Sequence, residues 1–195
     1  MDARSPFAGI RAVIFDLDDT IINTNRHRAW RRTLSKFEHR LPAHDVMDVA
    51  AAIADAADAF WADPANNKRW GLSIPEERGI LVEGVLASFG VRDAGLLGDL
   101  MTEFSKGRDN DHLLFPGVRE TLGQLSADGI RLAMLTNGGS KMQRRKINRF
   151  ELSAQFEHIQ VQEEFGTGKP DPAAFRNVLQ VLDLHVDEVW MVGDH

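Results

Sequence analysis

The chain has 195 residues, a formal net charge of −6 and no cysteine. This length suffices for one core, or for a core domain that carries a smaller inserted domain. The acidic balance argues against general binders of nucleic acid or anionic membranes, and without cysteine any metal must be held by oxygen or imidazole ligands. No apolar run approaches transmembrane length and the first residues lack the apolar centre of a signal peptide, so we expect a cytoplasmic protein.

The first predicted element is a short buried strand over residues 12–15, which ends at two carboxylates, Asp16 and Asp18. Strands of this kind in α/β folds present reactive groups beyond their carboxyl ends. Two acids at a strand end can also begin a polar turn or cap a helix. The pair alone therefore leaves a catalytic and a structural interpretation open.

The stretch that follows shows helical patterns only. Apolar residues recur at helical spacing in four segments, residues 25–41, 46–62, 75–89 and 93–105, which are separated by proline or glycine. No strand pattern interrupts them. We therefore predict an all-helical cap domain over residues 23–111, inserted into a core formed by residues 1–22 and 112–195.

Strands and helices alternate in the remaining sequence. Pro116 is predicted to start a helix that Gly129 ends, and a strand follows at residues 131–135. A basic helix, a short strand and a loop are predicted at residues 141–152, 158–161 and 163–172. Asp171 is expected to cap the next helix, and residues 189–192 form the last strand. This alternation predicts an α/β fold with a Rossmann-like parallel sheet and right-handed crossovers.

The carboxyl ends of parallel strands lie on one edge of a sheet, so groups that follow different strands can converge there. The side chains that follow the predicted strands are, in chain order, Asp16 and Asp18, Thr136 and Asn137, Lys169, and Asp194. The turn after the second strand is either an ordinary turn or a cradle for a phosphoryl group. Lys169 is either a solvated loop lysine or a cation that neutralises an approaching anion, and Asp194 is either a polar terminus or an oxygen ligand for Mg²⁺.

The order and spacing of these groups resemble the haloacid dehalogenase-like hydrolase superfamily, whose members are mostly Mg²⁺-dependent phosphohydrolases. Its four motifs match DLDDT at residues 16–20, LTNG at residues 135–138, GKPDP at residues 168–172 and the VGD of residues 192–194. A helical insertion directly after the first motif is similar to the family type that carries its cap between the first two motifs. The resemblance implies an HAD-like fold along the whole chain.

The resemblance also implies a reaction. Asp16 would be the nucleophile that forms an aspartyl-phosphate, while Asp18 would protonate the leaving oxygen and later deprotonate the hydrolytic water. Asp19 occupies a position to which the motif is indifferent, and we expect it in a turn or a cap. The implied function is hydrolysis of a phosphate monoester.

The other motif residues are implied to hold the ligands. Thr136 and Lys169 would bind phosphoryl oxygens, with Asn137 close by. Asp194 would complete a Mg²⁺ site together with Asp16 and Asp18, the last also through its main-chain carbonyl. Mg²⁺ is thus the expected cofactor.

Other functions remain possible on the same motifs. They are a 2-haloacid dehalogenase, a phosphomutase and a catalytically impaired interaction module. Asp18 argues against the dehalogenase, since that branch lacks the second aspartate because a halide leaves without protonation. No sequence feature requires a phosphomutase. The family usually continues past its fourth motif with another acidic residue, a strand and a helix, so the end at His195 predicts a truncated form with weakened metal affinity and an exposed sheet edge.

The substrate is predicted only as a small phosphorylated metabolite, such as a sugar phosphate or a nucleotide, with no nucleic-acid or membrane partner. The basic run of residues 26–32 is either a solvated helix face or part of a substrate site. Trp61 and Trp70 are candidates for stacking on a sugar or base, although Trp61 lies on an apolar stripe that indicates cap core. The QRRK of residues 143–146 after TNG is similar to the branch with pyrimidine 5′-nucleotidases and acylneuraminate-9-phosphate phosphatases. Oligomeric state is not predicted.

Overall fold

The computed structural model describes residues 8–41, 44–63, 65–66 and 74–194, which divide into two compact units. One unit takes the chain up to Asn23 and again from Leu114, and the other runs from Thr24 to Leu113. The second unit is built of helices. Its role as a substrate cap stays a prediction.

The regular elements confirm the predicted alternation. They are, in chain order, β1 (Ala12–Phe15), β2 (Ile22–Asn23), α1 (Arg26–Ser35), α2 (Val46–Ala62), α3 (Ile74–Ser88), α4 (Ala94–Gly107), β3 (Leu113–Leu114), α5 (Val118–Ala127), β4 (Arg131–Thr136), α6 (Ser140–Arg149), β5 (His158–Val161), α7 (Gln162–Phe165), α8 (Pro172–Leu182) and β6 (Val189–Val192). None of the helices in the described ranges is both long and apolar enough to cross a membrane.

The core unit contains a four-stranded sheet in the order β5-β4-β1-β6. Each neighbouring pair is parallel, and in the central pair Phe15 lies opposite Met134. Phe15 also lies opposite Val192 of β6. The predicted α/β class with a parallel sheet is therefore confirmed. The ends of β1 and β6 are in line with each other, and β4 continues two residues further, to Thr136.

Both faces of the sheet are covered at β1, which explains why this strand has a continuous apolar sequence. Val13 and Phe15 point to a core layer shared with helices α5 and α6, and Ala12 and Ile14 point to a layer shared with α8. All of β1 is buried. The strand is thus fixed from both sides, and so is the position of the residue that follows it.

Some local features differ from the sequence-based expectation. The short strands β2 and β3, which pair with each other, and the helix α7 were not predicted, because two to four residues show no periodicity. Helix α5 begins at Val118 instead of Pro116, because Gly117 has a φ of 83° and interrupts the helical backbone. The cap on α8 is confirmed, since the Asp171 carboxylate accepts a hydrogen bond from the Ala173 N–H at 2.8 Å.

The helical unit has its own core. At its centre Trp30 of α1 stacks on Phe104 of α4 with the ring centroids 4.0 Å apart. Trp61 is half-buried against Phe60 and is not among the described core residues. The prolines predicted to end the first two helices, Pro42 and Pro64, and also Trp70, lie outside the described residues.

Most arginines of the basic run make ion pairs inside the helical unit. Arg26 pairs with Asp58 at 2.8 Å, and Arg28 and Arg32 both pair with the buried Asp111, at 3.3 and 2.9 Å. Three arginines of the basic run therefore form ion pairs within the helical unit. A role in substrate binding is not required to explain them.

Candidate active site

The described structure brings together groups that follow three different strands. Asp16 follows β1, Thr136 is the last residue of β4, and Lys169 lies in the loop that leads from β5 through α7 to α8. The main chain of Asp16 is anchored to β6, because its N–H donates to the Val192 carbonyl at 2.9 Å. Asp194 comes two residues after Val192, in an exposed segment.

Asp16 and Lys169 form an ion pair. The Lys169 Nζ lies 2.7 Å from Asp16 Oδ1, and both side chains are largely buried, with 19% and 13% exposed. The Leu17 N–H donates to the same carboxylate oxygen at 2.6 Å. Burial raises the pKa of Asp16 above its ordinary range, and the charge of Lys169 works in the opposite direction. Lys169 is therefore the group that favours the ionised form of Asp16.

Asp18 is held from the other side by helix α6. Both of its carboxylate oxygens lie 2.7 Å from the Lys146 Nζ, and Oδ2 lies 3.1 Å from the Gln143 Nε2. The turn after it is fixed by Asp19, which has a φ of 55° and whose N–H donates to the Ile22 carbonyl at 2.7 Å. Asp19 thus occupies the turn position expected for it.

The residues that follow β4 already make hydrogen bonds within the protein, which those of a simple phosphate cradle would not. The Gly138 N–H donates to the Gln162 Oε1 at 2.9 Å, so a neighbouring side chain already uses it. The Asn137 side-chain amide donates to the Lys169 carbonyl at 2.7 Å and accepts from the Lys169 N–H at 2.8 Å. The Asn137 side chain therefore clamps the lysine loop, and its predicted contact with substrate stays a prediction.

The Thr136 hydroxyl lies in the same network. It is buried and accepts a hydrogen bond from the Gln143 Nε2 at 2.7 Å. Gln143 also donates to the Asn137 carbonyl at 2.7 Å. Since one amide contacts Asp18, Thr136 and Asn137, the ends of β1 and β4 are linked directly.

Three contributors to this network were missed as site residues by the sequence analysis: Gln143, Lys146 and Gln162. Gln143 and Lys146 are buried on α6 together with Ile147. The spacing of Gln143 and Lys146 by three residues places them on one face of the helix, but this spacing does not distinguish a buried pair from a solvated one.

Among the described residues, the strand edge offers oxygen donors for a metal. Asp16 and Asp194 supply carboxylates, and Asp18 can contribute its main-chain carbonyl, because its carboxylate is bound by Lys146. Within the described ranges no three histidine or acidic side chains are grouped so that they could hold an ion by themselves. A hard cation that takes carboxylate, carbonyl and water oxygens fits this donor set, and Mg²⁺ usually keeps several waters.

Two curated phosphatases are similar to this chain over most of its length. A glyceraldehyde 3-phosphate phosphatase of Pyrococcus abyssi is 28% identical over 95% of this chain and 73% of its own length. A phosphoglycolate phosphatase of Rhodospirillum rubrum is 29% identical over 94% of this chain and 71% of its own length. Both similarities span the strand framework and the helical unit.

Solved structures share the fold. The magnesium-bound HAD hydrolase YfnB of Bacillus subtilis superimposes with a TM-score of 0.72 at 21% identity, covering 95% of this chain and 80% of its own. The L-2-haloacid dehalogenase of Xanthobacter autotrophicus gives a TM-score of 0.62 at 18% identity, covering 93% and 69%. The family model for haloacid dehalogenase-like hydrolases matches residues 10–195. The chain therefore belongs to the haloacid dehalogenase-like hydrolase family, as its four motifs predicted.

Proposed function

We propose that the protein is a Mg²⁺-dependent phosphohydrolase that cleaves a small-metabolite phosphate monoester through an aspartyl-phosphate on Asp16. The observation that carries the proposal is the second carboxylate, Asp18, which is fixed by Lys146 beside a separate Asp16–Lys169 pair. Two carboxylates with different partners suit two different tasks. The relatives named as phosphatases support the same reaction class.

In the first half-reaction an Asp16 carboxylate oxygen forms a bond to phosphorus as the bond from phosphorus to the leaving oxygen breaks. Asp18 gives its proton to that leaving oxygen. Lys169 and the Thr136 hydroxyl contact the phosphoryl oxygens, on which negative charge is spread in the transition state. The alcohol then departs in neutral form.

In the second half-reaction Asp18 accepts a proton from water as the water oxygen bonds to phosphorus and the bond to Asp16 breaks. Inorganic phosphate leaves, and Asp18 is again protonated for the next cycle. Mg²⁺, held by Asp16, Asp194 and the Asp18 carbonyl, would reduce the repulsion between the anionic substrate and the anionic nucleophile. We propose two- and three-carbon phosphate esters as the first substrates to test, because the relatives act by name on phosphoglycolate and glyceraldehyde 3-phosphate.

The test is phosphate release from a panel of metabolite phosphates and from 4-nitrophenyl phosphate, with and without Mg²⁺. We expect turnover that Asp16→Asn abolishes and chelation of Mg²⁺ suppresses. Asp19→Asn is the matched control, because asparagine tolerates the positive φ at that position, and it should retain activity. If no phosphate ester is hydrolysed in the presence of Mg²⁺, the proposal is wrong.

The dehalogenase remains the alternative with the same nucleophile. Measurement of halide release from a 2-haloacid distinguishes it, and we expect none, because Asp18 and its Lys146 partner have no task when the leaving group is a halide. Halide release together with inactivity on every phosphate ester would favour the dehalogenase.

A further inference from the structure

Helix α6 buries two polar side chains that the proposed reaction has not used. Lys146 is 6% exposed and Gln143 is 1% exposed, although both residue types normally lie at the surface. A buried ammonium or amide is costly unless it is well paired. The Lys146 ammonium and the Gln143 amide nitrogen both have the Asp18 carboxylate as a partner, whereas the buried Gln143 amide oxygen has none among the described residues.

We propose that Lys146 and Gln143 are positioning residues that hold the Asp18 carboxylate in place for proton transfer. The inference rests on the proposed phosphatase function and adds two residues to its acid/base machinery. Neither side chain contacts the reacting phosphorus in this proposal. Their action is exerted through Asp18.

The geometry is that of a fixed carboxylate. The Lys146 Nζ is equidistant from both Asp18 oxygens, at 2.7 Å each, so the ammonium restricts rotation of the carboxylate. Gln143 then ties Oδ2 to the end of β4, because its amide nitrogen also lies 2.7 Å from the Thr136 hydroxyl oxygen and 2.7 Å from the Asn137 carbonyl oxygen. Asp18, the acid/base group, is thus held at a fixed position relative to Thr136, the residue that would contact the phosphoryl oxygens.

The proton balance of the reaction is unchanged by these contacts. Lys146 takes no part in the proton transfer and only donates hydrogen bonds to Asp18. When Asp18 is protonated, one of its oxygens carries the proton for the leaving group and the other accepts from Lys146. When Asp18 is ionised, both oxygens accept, and one of them is directed to the incoming water.

A purely structural role makes a different prediction. If Lys146 only stabilises the fold, its loss lowers turnover of all phosphate esters by the same factor. If it positions the acid, its loss harms esters with poor leaving groups most, because these depend on protonation of the leaving oxygen. The ratio of kcat/KM for an alkyl phosphate to that for 4-nitrophenyl phosphate separates the two roles, since 4-nitrophenolate leaves without a proton.

The experiment compares Lys146→Met with Lys141→Met, which removes an exposed lysine from the same helix. For Lys146→Met we expect kcat/KM on the alkyl phosphate to fall about 10²-fold and on 4-nitrophenyl phosphate less than about 5-fold. Lys141→Met should leave both values unchanged within about twofold, as a surface change does. Lys146→Arg, which keeps a cation next to Asp18, should restore part of the ratio.

Gln143→Met provides a second route, because it removes the amide at similar volume and keeps Lys146. Gln143→Met is expected to lower the ratio of kcat/KM for the alkyl phosphate to that for 4-nitrophenyl phosphate about 10-fold. If Lys146→Met does not fold, this variant tests the positioning role in its place. Equal losses on both substrates, or no loss on either, overturn the inference. A wild-type protein that hydrolyses neither ester overturns the proposed function instead, and this is seen before any variant is compared.

Discussion

Asn137 gives the sharpest test of how the site is assembled. Its side chain makes two hydrogen bonds to the main chain of Lys169, at 2.7 and 2.8 Å, in a partly buried setting. Asn137→Ala removes both and leaves a main-chain donor and acceptor without these partners. At about 1 kcal/mol for each bond, the free energy of unfolding should fall by roughly 2 kcal/mol.

The effect on activity should be larger than the effect on stability. Asn137 fixes the main chain of Lys169, whose Nζ lies 2.7 Å from Asp16. A displacement of this ammonium by about 1 Å can cost on the order of 10²-fold in rate. We therefore expect kcat/KM of Asn137→Ala to fall about 10²-fold, with a melting temperature lower by about 4–8 °C.

A double-mutant cycle with Lys169→Met checks the reasoning. If Asn137 acts through Lys169, then Asn137→Ala should cost almost nothing further in the Lys169→Met background. Asn177→Ala is a matched control, because it removes an amide hydrogen bond to Gln160 in the same unit, and it should lower stability without lowering kcat/KM. If the losses in kcat/KM of the two single variants multiply in the double variant, Asn137 does not act through Lys169.

Three further changes have defined outcomes. Gly168→Ala should lower both kcat/KM and the melting temperature, because its Cβ would overlap the Asn137 side-chain oxygen. Glu164→Gln should reduce the free energy of urea unfolding by about 1 kcal/mol at pH 7, since this carboxylate is a third exposed. The pKa of Glu164 is lowered from 4.5 to about 2, first by its hydrogen bonds with Arg144, so the stabilisation is complete above pH 4.5 and the difference should shrink as pH falls towards 2. Arg78→Met should raise the free energy of urea unfolding by about 1 kcal/mol, because desolvation of this half-buried guanidinium lowers its pKa to about 9 and the cost of its charge is present at pH 7.

Each of these outcomes can be contradicted directly. Unchanged activity of Gly168→Ala would show that the loop adjusts to the new methyl group. A stability difference for Glu164→Gln that does not vary between pH 7 and 3 would mean that the ion pair is not its source. A lower urea midpoint for Arg78→Met would show that the packing of its side chain over Phe104, at 4.9 Å from the ring centroid, outweighs the cost of burial.

The sheet, and the edge of it that carries the candidate site, could be predicted because their signals are local. Continuous apolar runs identify β1, β4 and β6, although only β1 and β4 are buried and β6 is mostly exposed. Asp171 followed by Pro172 marks the start of α8. Parallel pairing then places the residues after the strands on one edge. The Asp16–Lys169 contact follows from that rule, although 153 residues separate the two in sequence.

The partners of the site residues could not be predicted in the same way. A lysine at helical spacing has the same pattern whether it is solvated or, like Lys146, buried against a carboxylate. The use of the Gly138 N–H by Gln162 depends on α7, which is too short to show periodicity. These contacts depend on the arrangement of side chains in three dimensions, which motif spacing does not specify.

The short helix α7 has a consequence for how this site could be altered. Gln162 and Glu163 accept hydrogen bonds from the main chain of Gly138 and Ser140, and the same helix leads directly into the loop that carries Lys169. Residues 136–140 and 162–169 therefore form one exchangeable module. A chimaera that takes only one of these segments from a relative would lose the hydrogen bonds that join the two segments. A chimaera that takes both segments together would keep the spacing between the hydroxyl of Thr136 and the ammonium of Lys169.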